Sequence, residues 1–460
     1  MKVLLVNPIT RNTSLSSPDL GLGYLATSLE KENHQVDILD CVNLRLTFEK
    51  FENYIARIDF DVIGFRVFST DLLYVKKSLL IVKKRRPDAK IILGGAHPSA
   101  FPEQTLHYFE EADFAIRGEA EKGLADLIRY FIDPYIVPKK NIPGLIWREN
   151  GEIKINPPLF LENLDLLGSP DWNLINPRNY PFQTSYLTKS KIVAPLVMTR
   201  GCPYRCTFCS CRSVTGHRIR SHSVPYIIEE IKYLKSNFGI KEICFIDDNF
   251  LVLKHQVIDL CEQIIKQKLD IKWSSFGIRL DLVDKDILCL MEQSGCYLLT
   301  VGIESGSQRI LDHMKKYLTL DLIREKITLI YTTTSIKIIG NFILGYPMER
   351  QEDIYKTIRL AKTLPLYGAN FFPFHPTPGT EICDELMAKK ELKDIHWERM
   401  GQDRLPYIPE GITRQKFTWL FVLAFINFYM RPKIILNVFL AIRSLNRLKY
   451  IFHRIFGIIK

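Results

Sequence analysis

The chain has 460 residues, enough for two or three domains with large buried cores. Apolar residues make up 47% of it, which excludes a globally disordered protein. The net charge of +11 does not indicate a nucleic-acid binder, because the excess is concentrated at one end: residues 411–460 hold nine Lys or Arg and no Asp or Glu.

The first 135 residues alternate apolar runs, typical of buried strands, with helical patterns. Strands are predicted at Val3–Val6, Val36–Leu39, Val62–Val67, Ile91–Leu93 and Phe114–Ile116. Helices are predicted at Leu22–Glu30, Leu72–Lys84 and Glu121–Phe131. This alternation predicts a Rossmann-like α/β domain, in which helices cover both faces of a parallel sheet. The first strand follows Met1 directly, a pattern that favours a buried strand over a signal peptide.

Small and polar residues follow several of these strands. Gly94, Gly95 and His97 come after the fourth, and Gly118 and Glu119 after the fifth. Ligands of open parallel sheets bind at the carboxyl ends of the strands, where glycine lets them approach the backbone. Glycine is equally common in plain turns, so these residues are candidates only.

Residues 136–190 predict an irregular bridge with a hairpin at Asn150-Gly151. From residue 191 to 395 the alternation resumes. Strands are predicted at Pro195–Met198, Ile243–Ile246, Ile271–Phe276, Leu298–Ile303, Ile338–Leu344 and Asn370–Phe374. Helices are predicted at Val224–Phe238, Val257–Lys268, Lys285–Ser294 and Leu320–Tyr331. Six βα units in series predict a partial (β/α)6 barrel of the TIM type, with reactive residues at the strand ends. A helical, basic C-terminal extension follows at residues 396–460.

One loop after the first barrel strand carries Cys202, Cys206 and Cys209 in a Cys-x3-Cys-x2-Cys pattern. Three thiolates on a short loop suit three irons of a 4Fe–4S cluster and leave the fourth iron open to a reactant. A zinc site would need a second Cys or Cys/His pair nearby, and none follows at the usual spacing. Three chance core cysteines in a loop with Gly and Pro would be an unusual coincidence.

Cys211 lies two residues beyond this loop, and two roles stay open for it: packing beside the loop or replacing a ligand. The other six cysteines lie in apolar patterns and are expected in the core. They are Cys41, Cys244, Cys261, Cys289, Cys296 and Cys383. Because this is no disulfide framework, we expect a reducing, cytoplasmic setting.

Motifs along nearly the whole chain resemble the radical S-adenosylmethionine superfamily, in the group with an N-terminal cobalamin-binding domain that includes anaerobic tetrapyrrole cyclases and class B methylases. The cysteine loop, with Phe208 before its last Cys, is the most specific. The barrel motifs are residues 245–250, 277–281, 302–308, 340–349 and 375–380. The upstream motifs are residues 94–98, 117–121, 143–144 and 170–172.

The resemblance implies that a 4Fe–4S cluster cleaves S-adenosylmethionine to a 5′-deoxyadenosyl radical, and that cobalamin, between the domains, supplies a methyl group to an unactivated carbon. The residues carried over for S-adenosylmethionine are Phe208, Asp247, Arg279, Gly302, Glu304 and Gly345. A salt bridge at the barrel end is the alternative role for Arg279 and Glu304, and a helix cap is the alternative for Asp247.

For cobalamin the implied residues are Gly94, Gly95, His97, Gly118 and Glu119. Residues 8–22 contain no His, so the Asp-x-His-x-x-Gly motif of classical cobalamin binders is missing there. We therefore expect the lower face of the corrin to have no His ligand.

Two other functions stay open: a radical cyclase, oxidase or rearrangement enzyme, and a non-catalytic iron–sulfur sensor or electron carrier. A carrier normally closes its cluster with four protein ligands, which disfavours the last. Expected partners are a small-molecule or lipid-like substrate and an electron donor such as flavodoxin or ferredoxin, with no nucleic acid. The uncharged run Phe417–Met430 is too short to span a bilayer, so the basic tail either packs on the barrel or contacts a membrane surface peripherally.

Overall fold

The computed structural model of the chain describes residues 1–10, 17–180, 188–392, 405–432 and 434–436. They form an N-terminal α/β unit, a second α/β unit built on a parallel sheet, and a C-terminal helix. The N-terminal strands are β1 Lys2–Asn7, β2 Gln35–Asp40, β3 Val62–Arg66, β4 Lys90–Gly94, β5 Phe114–Ile116, β6 Leu145–Glu149 and β7 Glu152–Ile155. The N-terminal helices are α1 Leu20–Glu30, α2 Phe48–Arg57, α3 Leu72–Arg85, α4 Ala96–Ala100, α5 Pro102–Tyr108 and α6 Glu121–Ile132.

The N-terminal sheet has the strand order β2-β1-β3-β4-β5-β6-β7, with parallel pairing from β2 to β5. Alternate residues of β1 enter different cores: Leu4 and Val6 on one side, Val3 and Leu5 on the other. Helices therefore cover both faces, as the apolar runs predicted. Helix α1 begins at the carboxyl end of β1, where Arg66 binds both Asp19, just before the helix, and Asn7, the last residue of β1.

β6 and β7 form the hairpin predicted at Asn150-Gly151, where both residues have positive φ. β6 pairs antiparallel with β5, so part of the segment expected to be a bridge extends the N-terminal sheet. A strand pair here was foreseeable from the Asn-Gly turn. Its docking on β5 was not, because a turn signal does not specify the neighbouring strand.

The second unit contains strands β8 Ala194–Leu196, β9 Thr199–Arg200, β10 Arg220–Ser221, β11 Glu242–Phe245, β12 Lys272–Ile278, β13 Cys296–Glu304, β14 Lys337–Leu344 and β15 Gly368–Pro373. Its helices are α7 Cys211–Val214, α8 Val224–Phe238, α9 Lys254–Lys266, α10 Lys285–Gln293, α11 Gln308–His313, α12 Leu320–Thr333, α13 Gln351–Thr363 and α14 Glu381–Ala388. Six parallel strands pair in the order β15-β14-β13-β12-β11-β8, which confirms the predicted parallel α/β unit. β9 and β10 form a separate antiparallel ribbon beside the cysteine loop.

The C-terminal helix α15, Arg414–Tyr429, packs its inner face on the barrel. Phe417, Phe421 and Phe428 are buried in the same core as the barrel helices, and the Tyr429 hydroxyl donates to the Ala369 carbonyl at 2.7 Å. This part of the extension thus follows the barrel-packing alternative. Residues 437–460, which carry most of the predicted basic tail, lie outside the described residues. Within the described ranges, every helix falls short of the length and apolar character needed to cross a bilayer.

Candidate active site

The cysteine loop begins with a turn that only glycine fits well. Gly201 follows β9 with φ +90°, and a Cβ there would lie 2.1 Å from the Arg218 carbonyl oxygen. The Cys202 amide donates to the Gly216 carbonyl at 3.2 Å, and the Cys209 amide donates to the Cys206 carbonyl at 3.1 Å. The backbone therefore folds the three cysteines into one compact loop after the first barrel strand.

Residues from the far side of the barrel hold this loop in place. The Thr207 amide donates to the Met314 carbonyl, and its carbonyl accepts from the Ile382 amide, each at 3.1 Å. The Thr207 hydroxyl lies 2.7 Å from the Tyr346 hydroxyl. Phe208 packs, partly buried, on the apolar cluster that contains Tyr346. Phe208 thus anchors the loop by packing on this cluster.

The thiols of the loop have unequal environments. A hydrogen bond from Cys211 lowers the pKa of Cys202 to about 7, and the same contact raises the pKa of Cys211. Burial raises the pKa of Cys206, while the charges of Lys316 and Arg279 act to lower it. Cys211 therefore lies beside the loop and in contact with Cys202. This position is compatible with packing and with replacing a ligand, the two roles considered for it.

The donor set fits an iron–sulfur cluster better than a single metal ion. Over the described part of the chain, the structure holds no three His, Cys, Asp or Glu side chains close enough to share one ion. A cubane cluster is wider than one ion, since each thiolate binds a different iron. Cys202, Cys206 and Cys209 are all free thiols, and all are accessible at least in part. Three thiols on one anchored loop therefore suit such a cluster.

Charged residues at the ends of β12 and β13 lie beside Cys206. Glu304 pairs with buried Lys316 at 2.8 Å and has φ +66°, an uncommon conformation for a non-glycine residue. Arg279 donates to Asp281 at 3.1 and 3.2 Å and to the Lys316 carbonyl at 2.9 Å, and its guanidinium lies 3.6 Å from the centre of the Tyr204 ring. Both predicted residues thus make contacts at the barrel end.

One buried nitrogen of Arg279, Nη1, has no hydrogen-bond partner among the residues that the structure describes. An unsatisfied guanidinium N–H is a strong donor for a carboxylate. Arg279 therefore retains binding capacity beside the cysteine loop in addition to its internal contacts.

Two predicted glycines lie under side chains of the protein itself. A Cβ on Gly302 would lie 2.4 Å from Glu304 Oε1. Gly345 has φ +83°, and a Cβ there would lie 2.3 Å from the Phe417 ring. Because neither glycine has a side chain, Glu304 packs closely on Gly302 and Phe417 of α15 packs closely on Gly345.

Asp247 braces the strand that leads into the loop. It is buried, and one of its carboxylate oxygens accepts from the Met198 amide at 3.1 Å and from the Thr199 amide and hydroxyl at 2.5 and 2.7 Å. Burial raises its pKa to about 7. The helix α9 instead begins after Leu253, so the predicted capping role is not what this side chain does. Its second oxygen, Oδ2, is buried without a partner.

A cavity of about 450 Å³ separates the two α/β units. Its N-terminal side is formed by the carboxyl ends of β3, β4 and β5, including Gly94, Gly95 and Gly118. A Cβ on Gly94 would meet open space. Pockets of about 300–1,000 Å³ are typical of small-molecule sites. The barrel side is formed by Val197, Thr199, Arg200, Val214, Thr215, Ile246 and Asp248.

His97 is not part of this lining. It is buried below the sheet edge, 2.9 Å from the Ser69 hydroxyl, and burial lowers its pKa to about 4. Among the described residues that line the cavity there is no His at all.

Glu119 joins the two units through a buried ion pair. Its carboxylate accepts from both Nη atoms of Arg220 at 2.7 and 2.8 Å, and the Arg220 side chain is only 1% exposed. Arg200, the residue before the loop glycine, pairs with Glu121 at 2.8 Å. Two acidic residues of the N-terminal unit thus hold the strand ribbon that carries the cysteine loop.

The sequence reasoning missed Arg200, Arg220, Lys316 and Tyr346. Arg200 adjoins the loop in sequence, and Tyr346 lies inside a recognised motif, so both could have been proposed. Lys316 and Arg220 carry no local signal, because each is defined by a partner elsewhere in the chain.

Comparison with protein-family models finds two matches. The B12 binding domain matches residues 6–128, and the Radical SAM superfamily matches residues 196–361. These matches confirm the family resemblance and the two-part α/β fold, with a 4Fe–4S cluster, S-adenosylmethionine and cobalamin as cofactors.

Curated relatives and solved structures agree with this. An uncharacterized methyltransferase of Pyrococcus horikoshii is 31% identical over 95% of this chain and 94% of its own. An anaerobic magnesium-protoporphyrin IX monomethyl ester cyclase of Cereibacter sphaeroides is 25% identical over 82% of this chain and 62% of its own. The radical methyltransferase TsrM of Kitasatospora setae, with cobalamin and a [4Fe-4S] cluster bound, has a TM-score of 0.69 at 18% identity, covering 84% of this chain and 75% of TsrM. The cobalamin-dependent enzyme OxsB gives 0.73 at 19% identity, covering 99% and 71%. The chain belongs to the radical S-adenosylmethionine superfamily, in the group whose members carry a B12-binding domain ahead of the barrel.

Proposed function

We propose that the protein is a cobalamin-dependent radical S-adenosylmethionine methyltransferase that methylates an unactivated carbon of a small molecule. The observation that carries this proposal is the position of the cavity. Its floor is formed by the strand ends of the B12-binding domain, and its roof includes Thr199, Arg200 and Thr215, which flank the cysteine loop. A substrate in this space would lie between the two cofactor sites.

The chemistry of the reaction comes from the bound groups. When bound, the cluster supplies the electron that cleaves S-adenosylmethionine to a 5′-deoxyadenosyl radical, and cobalamin supplies the methyl group. Cys202, Cys206 and Cys209 would hold the cluster through three of its irons. Thr207, fixed by hydrogen bonds of its amide, its carbonyl and its hydroxyl, keeps the loop in register with the barrel.

The S-adenosylmethionine site is assigned to the barrel end beside Cys206. The free Nη1 of Arg279 is placed to bind the carboxylate of S-adenosylmethionine, and the Glu304 carboxylate to accept from its ribose hydroxyls. Gly302, Gly345 and Phe208 shape this end by close packing, and the free oxygen of Asp247 is the acceptor proposed for the cofactor's amino group.

The cobalamin site is assigned to the N-terminal side of the cavity. Gly94 lets the corrin approach the backbone, because a Cβ there would meet open space, while Gly95 and Gly118 line the same side in turns with positive φ. Glu119 closes the interface beside it. His97 is assigned a structural role, since it is buried outside the cavity lining and contacts the Ser69 hydroxyl. The cobalamin domain is assigned to residues 1–135, the bridge to 136–190, the barrel to 191–395 and the extension to 396–460. Strands β6 and β7 of the bridge complete the sheet of the cobalamin domain.

Anaerobic reconstitution tests the proposal. Protein loaded with iron, sulfide and cobalamin is passed through gel filtration, and cobalamin is measured by absorbance in the protein peak. The proposal requires retention of cobalamin, release of 5′-deoxyadenosine on reduction, and release of S-adenosylhomocysteine only when cobalamin is present. Reduction that yields 5′-deoxyadenosine without cobalamin retention or S-adenosylhomocysteine would reject methyl transfer.

A matched pair of variants sharpens this test. Gly94→Val adds a branched side chain inside the cavity and is expected to lower cobalamin retention at least tenfold while leaving 5′-deoxyadenosine release intact. Gly151→Val also adds a side chain in open space, but at the hairpin turn and at φ +82°, so it strains the backbone away from the cavity and controls for a general loss of stability. It is expected to leave retention within twofold. Equal loss in both variants would argue against the cavity as the cobalamin site.

A radical ring cyclisation is the second candidate. Relatives with the cyclase name align with 82% of this chain. Cyclisation would consume S-adenosylmethionine without forming S-adenosylhomocysteine, so the same assay separates the two reactions.

We further propose that the enzyme works in the cytoplasm with an external electron donor such as flavodoxin or ferredoxin. A lipid-like substrate and peripheral membrane contact through the C-terminal segment complete the proposal. The charge of that segment, rather than any feature of the cavity, supports the membrane contact.

A further inference from the structure

The outer face of α15 carries a stripe of exposed apolar side chains. Trp419, Ile426 and Met430 are 49%, 51% and 65% exposed. Spacings of seven and four residues place them on one side of a helix. Ile435 and Leu436, just beyond the helix, are exposed as well. We call Trp419, Ile426 and Met430 the α15 stripe.

The α15 stripe lies opposite the face of the helix that packs on the barrel. Phe417, Phe421 and Phe428 pack into the barrel core, so α15 is anchored and the stripe is held outward. Contiguous apolar surface of this kind is uncommon on soluble proteins and marks a contact surface.

All charged residues in the sequence around the stripe are basic. Residues 411–460 contain nine Lys or Arg and no Asp or Glu. Lys416 lies over the Trp419 ring at 4.6 Å, so a cation borders the stripe itself. Seven of the nine basic residues follow α15 in the sequence: Arg431, Lys433, Arg443, Arg447, Lys449, Arg454 and Lys460.

This charge decides which partner covers the stripe. A second copy of the chain would bring the same positive segment against the first, and like charges repel. The chain's own residues 437–460 are equally basic. An anionic lipid surface offers the complementary charge, and Trp favours the interface between headgroups and acyl chains.

We propose that the α15 stripe and the basic residues after it form a docking surface for an anionic lipid bilayer. The contact is peripheral: apolar side chains of the stripe enter the headgroup boundary while the basic residues pair with lipid phosphates. The barrel core holds α15, so the whole enzyme is carried to the surface. This inference does not depend on the reaction catalysed.

The test is co-sedimentation of the full-length chain with sucrose-loaded vesicles, of phosphatidylcholine alone or with phosphatidylglycerol added. Wild-type protein is expected to pellet with the anionic vesicles only, and to be released by high salt. Arg443→Gln, Arg447→Gln and Lys449→Gln together should weaken binding about a hundredfold, at about fivefold for each charge.

A matched control is available on another helix. Trp419→Ser with Ile426→Ser removes two exposed apolar residues seven apart on α15, and Leu73→Ser with Leu80→Ser does the same on α3, where they are 49% and 52% exposed. The α15 pair should weaken vesicle binding at least tenfold and the α3 pair less than twofold. Equal effects, or wild-type binding in the α15 pair, would overturn the proposal.

Two further readouts exclude the other occupants. Brominated lipids should quench the fluorescence of bound wild-type protein, and Trp419→Phe should remove most of that quenching while keeping the binding. Wild-type protein that stays in the supernatant with anionic vesicles would overturn the proposal. A dimer in sedimentation velocity that the α15 pair dissociates would overturn it in favour of self-association. The inference rests on the membrane contact proposed above, but neither readout requires the cluster, cobalamin or a substrate. A failure here would therefore remove that membrane contact and leave the proposed methyl transfer untouched.

Discussion

Glu119→Gln removes one negative charge from the interface between the two α/β units with almost no change in shape. The carboxylate binds both Nη atoms of Arg220, whose side chain is 1% exposed, while its own is 8% exposed. Breaking a buried pair by removing one partner typically costs about 3–5 kcal/mol, because the other charge stays desolvated. The Gln amide oxygen still accepts one hydrogen bond, so we expect a loss of about 3 kcal/mol in the free energy of unfolding.

The chain contains a control with the same chemistry and distance. Arg218 and Glu162 also pair at 2.7 Å, but their side chains are 75% and 73% exposed. An exposed pair contributes about 0–1 kcal/mol, so Glu162→Gln should change the free energy of unfolding by less than about 1 kcal/mol. Urea titration of both variants, followed by tryptophan fluorescence, measures the difference. Equal shifts for the two variants would refute the argument that burial makes the Glu119 pair stronger. Glu119→Gln should also lower cobalamin retention, since Glu119 lines the cavity.

Three other changes have defined outcomes. Cys206→Ala should abolish the 4Fe–4S absorption of reconstituted protein and Cys211→Ala should retain it; a cluster in the first variant would make Cys211 a ligand. Gly345→Ala combines a residue at φ +83° with a Cβ 2.3 Å from the Phe417 ring, so the free energy of unfolding should fall by about 2–4 kcal/mol in urea titration, and an unchanged value would contradict the close packing. Burial lowers the pKa of His97 from 6.5 to about 4, so the unfolded chain binds a proton in this window that the native chain does not. His97 should therefore take about 3 kcal/mol from the free energy of unfolding as the pH drops through the window, and His222 and His375, whose pKa values burial also lowers to about 4, add to the fall. His97→Asn should make the fall smaller by about 3 kcal/mol in urea titrations at both ends of the window, and an unchanged fall would contradict the burial of a neutral imidazole.

Much of the fold was accessible from apolar periodicity alone. Helix α8 matches its predicted bounds, Val224–Phe238, and strand β5 matches Phe114–Ile116. Helix α2 at Phe48–Arg57 was missed although its apolar residues, Phe51 and Ile55, are spaced four apart. Only two of its positions are buried, and so short a stripe is difficult to separate from a loop without knowledge of the sheet it covers.

The cysteine loop was predictable because its chemistry is local in sequence. All three thiols lie within eight residues, and the spacing alone indicates a cluster. The groups beside it are not local. Glu304 and Lys316 are twelve residues apart and meet only because β13 and the loop after α11 end at the same side of the barrel. A motif identified Glu304, but nothing in the sequence identified its cation.

The same reasoning explains why Glu119 was assigned to cobalamin from the sequence. Its motif, Arg117–Glu121, follows β5 at a strand end, where ligands of open sheets bind, so a ligand contact was the natural inference. The structure satisfies the carboxylate with Arg220, a residue 101 positions away on the ribbon that precedes the barrel helices. Glu119 and Arg200 are 3.6 Å apart as well, so the residue before the cysteine loop is held by the same carboxylate. Charges that no local pattern contains therefore hold the N-terminal unit against the ribbon beside the cysteine loop, and Glu119→Gln tests how much this contact contributes to stability.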